Sequence, residues 1–120
     1  METIAKELDV SVILPVYNER GHLKAEIDRV RTALSASSYS FEIIVIDDGS
    51  TDGSASIALG YEDPRVRVVR NETNLGLVAT LNNGLALARG QLIARMDADD
   101  VAEPRRLEAQ VARIAADSSI

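Results

Sequence analysis

Asp97 and Asp99 stand two residues apart in Asp97-Ala98-Asp99-Asp100, directly after the apolar run 91–96 (QLIARM). In an extended segment, residues two apart project on the same face. Two carboxylates on one face repel unless a cation or a proton lies between them. They suit a hard divalent ion, Mn2+ or Mg2+, which takes oxygen ligands and shares them with substrate phosphates. The same residues also make an ordinary polar turn, with Asp100 or Glu103 favouring the N-terminus of a following helix. A second acidic group, Asp47-Asp48-Gly49-Ser50-Thr51-Asp52, follows the run 41–46 (FEIIVI). Gly49 suits the turn and Ser50 or Thr51 a helix cap. Asp48, just past the strand end, is the carboxylate placed to accept a hydrogen bond from a ligand NH or OH. A third polar group, Pro15-Val16-Tyr17-Asn18-Glu19, carries a ring that either stacks on a planar base or sits at the surface.

Smaller candidates surround these. Asn74 suits a helix N-cap. Asn82 and Asn83 are poor helix formers, so at least one of them is expected to serve packing or a ligand, although Asn83 itself reads first as part of a solvated helix face. His22, the single histidine, falls at a helix start and reads as a capping or surface residue. No G-x-x-x-x-G-K-[ST] segment occurs and no G-x-G-x-x-G follows the first strand, which argues against a P-loop and a dinucleotide fold. No Cys or His cluster suggests zinc.

The elements that must position these groups follow from periodicity. The run 10–16 (VSVILPV) is rich in β-branched residues and reads as strand one. Over 22–36, Leu23, Ile27, Val30 and Leu34 recur at helical spacing. Residues 41–46 form strand two and 53–59 a short helix. Residues 65–70 (RVRVVR) alternate in part, which suits an edge strand. A helix is expected over 75–89 with Leu77, Leu81 and Leu85 inward, and Gly90 as its C′ residue. Strand four is 91–96, and Pro104 suits the first turn of a last helix over 103–116. This β-α alternation predicts an α/β fold: Rossmann-like units, a mostly parallel sheet and helices on both faces. Ligands in such sheets bind beyond the carboxyl ends of the strands. All three polar groups follow strand ends, so all three should meet at one edge.

Bulk properties narrow the class. The chain has 120 residues, enough for one small domain, with 46% hydrophobic, 27% charged and 3% aromatic residues. The net charge of −6 and the absence of a long basic cluster argue against nucleic acid as partner. A phosphate-bearing ligand would need local help from a metal or from helix N-termini. There is no cysteine, no apolar run long enough to span a membrane and no signal-like N-terminus, so a cytoplasmic protein is expected.

Together the segments 12–19 (VILPVYNE), 42–52 (EIIVIDDGSTD), 74–76 (NLG), 81–86 (LNNGLA) and 94–100 (ARMDADD) resemble the family 2 glycosyltransferases of GT-A fold, in order and spacing. The resemblance spans about residues 10–107, after an N-terminal extension of residues 1–9. It implies that Pro15, Val16, Tyr17 and Glu19 border the nucleotide base. It makes Asp48 the base-binding carboxylate, with Gly76 beside the nucleotide. Asp97 and Asp99 resemble the family's DXD motif: Asp99 on the metal, Asp97 by ribose and metal. The implied donor is a UDP- or GDP-linked sugar, and the implied acceptor a glycan or lipid-linked sugar. The reaction is expected to invert the anomeric carbon and to serve polysaccharide or glycoconjugate biosynthesis in bacteria. The full-length enzyme is expected to sit peripherally at the inner membrane face. The family's catalytic base and acceptor half lie further along, and no residue here matches the base. Residues 10–120 are therefore expected to be a donor-binding fragment with little or no activity of its own. A sheet without later strands exposes apolar surface, which raises the expectation of a homodimer. Two alternatives remain. Asp97-Ala98-Asp99-Asp100-Val101 fits the nucleophile motif of haloacid-dehalogenase-type phosphatases, although there it follows the first strand. The other is a non-catalytic nucleotide-binding module.

Overall fold

The computed structural model describes residues 8–96. Seven elements alternate: β1 (Leu8–Val16), α1 (Arg20–Ser35), β2 (Phe41–Asp48), α2 (Ser54–Leu59), β3 (Val66–Asn71), α3 (Leu77–Leu87) and β4 (Gly90–Arg95). The strands form one four-stranded sheet in the order β3-β2-β1-β4, with every pairing parallel. The expected edge strand, now β3, is at an edge. The helix expected over 103–116 lies outside the described residues.

The central strands β1 and β2 are covered on both faces, which is why they read as unbroken apolar runs. Alternate residues feed two cores. Val10, Val12, Leu14 and Val16 of β1 join Phe41, Ile43 and Val45 of β2 beneath Leu23, Ile27, Val30 and Leu34 of α1 and Ala58 of α2. Ile13, Ile44 and Ile46 form a smaller core on the opposite face, with Leu81 and Leu87 of α3. Each fully buried Leu or Ile contributes about 1.5–3 kcal/mol, so the larger cluster carries most of the stability.

Three local expectations are corrected. β2 runs two residues further than its apolar stretch, so Asp48 is its last strand residue, in register with Asn71. α3 begins at Leu77 with Gly76 as its N-cap residue, not at Leu75 under an Asn74 cap. Gly90 opens β4, and the helix ends on Ala88 in extended conformation. The inward face of α3 also differs: Thr80 and Gly84 are buried, while Leu77 and Leu85 stay about half exposed. A step of four residues turns a helix by about 40° beyond a full circle, so the stripe 77-81-85 drifts and only Leu81 meets the core. Gly84 permits the close approach, since a Cβ there would lie 2.7 Å from Ile13 Cγ2 and 2.9 Å from Ile46 Cδ1.

Candidate functional site

A cleft of about 380 Å³ opens at the carboxyl edge of the sheet. Its lining is Pro15, Val16, Tyr17 and Glu19 after β1, Asp48 ending β2, Asn74 to Leu77 before and at the start of α3 (Leu75 excepted), Thr80, and Arg95 ending β4. Pro15, Val16, Tyr17, Glu19, Asp48 and Gly76, singled out from the sequence, thus share one cavity. Asp97 and Asp99 lie outside the described residues. Pro15 and Val16 are buried floor, and Tyr17 leaves about half its surface exposed.

Asp48 is buried and engaged. Its carboxylate accepts from Asn71 Nδ2 (2.9 Å), from the Leu75 amide (2.8 Å) and from the Gly76 amide (3.0 Å). Burial pushes its pKa up, but these bonds, with one from the Thr80 hydroxyl, outweigh that and hold it below the ordinary carboxylate value. The loop ahead of α3 is thereby clamped to the end of β2. Gly49 completes the clamp: its φ of 81° is left-handed, and a Cβ would lie 2.8 Å from Asn74 N. Asn74 donates its side-chain amide to the Asp48 carbonyl (3.3 Å).

The opposite wall is laced in the same way. Glu19 is the N-cap residue of α1 but makes no cap bond of its own. Three successive amides at this end instead reach the β2–α2 loop: Asn18 N to Ser50 Oγ (2.8 Å), Glu19 N to Ser54 Oγ (3.2 Å) and Arg20 N to Asp52 Oδ2 (3.1 Å). Asn18 returns a bond, accepting from Thr51 N on its Oδ1 (2.8 Å), and holds a left-handed φ of 52°. Ser50 therefore holds the turn ahead of α1 rather than capping α2, whose first amide, at Ser54, bonds Asp52 Oδ1 (3.0 Å). The carboxylate of Asp47, fully buried on the α1 face, has no hydrogen-bond partner among the described residues and lies 3.4 Å from Arg70 Nε. Arg70 also donates to the Ser50 carbonyl (3.3 Å).

Asn82 and Asn83 are exposed and outside the cleft, which agrees with the solvated face expected for Asn83 and corrects the expectation that at least one of the two serves packing or a ligand. His22 is exposed, consistent with a surface role. Sequence reasoning missed Asn71, Thr80, Leu77 and Arg95. The signal for Arg95 was the alternation of β4, where Gln91, Ile93 and Arg95 face one way. Nothing local marked Asn71 or Thr80. Among the described residues no group of three His, Cys, Asp or Glu side chains could hold a metal ion.

Comparison with known proteins adds to this geometry. The model of the family described as "Glycosyl transferase family 2" matches residues 11–120. The putative glycosyltransferase EpsE of Bacillus subtilis is 44% identical over 106 residues, covering 86% of this chain and 37% of that protein. Among solved structures, S. aureus TarS in complex with UDP-GlcNAc superposes with a TM-score of 0.72 at 28% identity, covering 90% of this chain and 31% of that one. The mannosyltransferase PcManGT of Pyrobaculum calidifontis, in complex with GDP-Man and Mn2+, gives 0.69 at 27%, covering 88% and 32%. The chain spans about a third of the length of these relatives.

Proposed function

We propose, from the premise that this chain belongs to glycosyl transferase family 2, that its cleft binds the nucleotide of a UDP- or GDP-linked sugar and that the chain is the donor-binding part of a transferase. The observation that carries this is the convergence of Pro15, Val16, Tyr17, Glu19, Asp48 and Gly76, drawn from three separate loops, on one cavity at the carboxyl edge of a parallel sheet. The nucleotide-sugar complexes of TarS and PcManGT support the ligand class.

In this reading the half-exposed Tyr17 ring stacks against the base. Asp48, with part of its lone-pair capacity committed to the loop, offers the remainder to a base NH. Thr80 and Asn71 hold that carboxylate in place. Asp97 and Asp99 would hold Mn2+ or Mg2+, and the Mn2+ in the PcManGT complex supports that choice. When bound, such an ion would supply positive charge against the β-phosphate of the departing nucleoside diphosphate. An acceptor hydroxyl, on a glycan or a lipid-linked sugar, attacks the anomeric carbon from the opposite side and inverts it. No residue of this chain is assigned as the base for that step. The expected setting is the cytoplasmic face of a membrane, in bacterial polysaccharide or glycoconjugate synthesis. Among the described residues no helix is long and apolar enough to cross a membrane, so peripheral attachment is the form proposed. The phosphatase alternative is set aside, because Asp97 follows the fourth strand in chain order and family membership points elsewhere.

Calorimetric titration of UDP and of GDP, with Mn2+ and with EDTA, tests the reading. The expected result is Mn2+-dependent binding of one nucleotide that is lost in Asp99→Ala. Equal affinity in EDTA or in the variant overturns the metal assignment, and no binding of either nucleotide overturns the donor site.

A further inference from the structure

We propose that Arg95 is a phosphate-binding residue of the cleft, taking the diphosphate of the ligand whose base lies at Tyr17 and Asp48; this rests on the donor-site reading above. A diphosphate brings at least two negative charges to a chain of net charge −6. It can be met by backbone amides at helix N-termini, by a metal or by a cationic side chain. The fold commits several of the nearby amides. At the entrance to α1, the Asn18, Glu19 and Arg20 amides are occupied by Ser50, Ser54 and Asp52 side chains. Ahead of α3, the Leu75 and Gly76 amides are occupied by Asp48, which also sets a carboxylate against that helix end. Anions are favoured at a helix N-terminus because of its partial positive charge, and here Asp48 and Asp52 already use it.

With these amides taken, a cationic side chain is the stronger route among the described residues, since it brings a full charge. Arg95 is the one Lys or Arg among the described residues lining the cleft. It ends β4, in register with Ile13 and on the α3 side of the sheet, the side that carries Ile44, Ile46 and Asp48. β1 lies between β4 and β2, and Arg95 is level through Ile13 with Ile44, four residues short of Asp48, so two strand spacings and four steps of strand rise put the two Cα atoms roughly 16 Å apart. A base held at Tyr17 and Asp48 leaves the other end of the ligand to extend toward β4. A nucleoside alone fills the base end; its diphosphate reaches the guanidinium. Arginine suits this task because its planar fork donates two parallel N–H bonds to phosphate oxygens.

The experiment titrates nucleoside and nucleoside diphosphate, in both the uridine and guanosine series with Mn2+, into wild type, Arg95→Ala and Arg95→Lys. Arg95→Ala should weaken the diphosphate about tenfold, the usual scale of one charge-assisted contact, while leaving the nucleoside unchanged. Arg95→Lys should recover part of the loss. Equal weakening of nucleoside and diphosphate would make Arg95 a structural residue, and no weakening of either would remove it from the site; both overturn the assignment. Wild type binding neither ligand overturns the donor-site reading itself, and the assignment with it. Thermal melts of all three proteins exclude misfolding as the source of a loss.

Discussion

At the scale of single residues, Asp48 shows how one carboxylate serves shape before it serves a ligand. Three donors and the Thr80 hydroxyl surround it, and their combined effect exceeds the desolvation that opposes ionisation. Its folded pKa lies below the ordinary 3.8. The stabilisation is therefore complete above that value and is lost as pH falls through the lowered folded one. Asp48→Asn replaces an acceptor oxygen by an amine that faces backbone N–H donors. We expect a loss of about 2 kcal/mol at pH 7, the scale of hydrogen bonds to a charged group. Urea denaturation measures it, and the gap between variant and wild type should close in acid. A gap that stays constant with pH would mean the charge is not what stabilises the loop.

At the scale of elements, the far edge of the sheet is held by a second buried charge. Glu42, fully buried in β2, accepts from Ser11 Oγ of β1 (2.6 Å), Arg67 Nη1 of β3 (2.8 Å) and both the amide (2.7 Å) and the guanidinium of Arg89. Ser11 Oγ in turn accepts from Gly90 N (2.7 Å), and Arg67 also donates to the last carbonyl of α3, at Leu87 (3.1 Å). One side chain thus joins three strands to the α3–β4 turn. Burial raises the Glu42 pKa, but the bonds from Ser11, Arg89 and Arg67 lower it further than burial lifts it. Its contribution is present above the ordinary 4.5 and lost as pH falls below it. Glu42→Gln leaves Arg67 and Arg89 without their carboxylate, so melting temperature at pH 7 should fall by several degrees. The variant should also lose less stability between pH 6 and 3 than wild type does.

At the scale of the whole molecule, the two faces of the sheet are unequal. α1 and α2 seal one face. On the other, α3 covers β1 and β2, while Leu77, Val78, Leu85 and Ile93 remain exposed. Apolar residues exposed in this number beside a half-covered sheet favour association. Sedimentation velocity across a concentration series is expected to show a monomer–dimer equilibrium. Val78→Glu, at the most exposed of these positions (73%), should shift it to monomer. A monomer at every concentration would refute the association.

Local pattern by itself determined the alternation of elements, the four strands and the meeting of the polar groups after β1 and β2 at one edge; the third group, 97–100, lies outside the described residues. Strand type follows from β-branched runs such as 10–16, and in a parallel sheet every strand's end points the same way, so these features need only local pattern and topology rules. Tertiary structure alone decided which groups are free to act. Ser50 reads as a cap for its own helix, yet it bonds the Asn18 amide in the turn ahead of α1, because the two loops lie side by side only after β1 and β2 have paired. Asn71 and Thr80 carry no local signal, because their partner Asp48 is 23 residues from the one and further still from the other along the chain. The rotation of α3 was hidden for the same reason. A stripe of leucines at steps of four records helical period, but the contact of Gly84 with Ile13 and Ile46 sets which side faces the sheet.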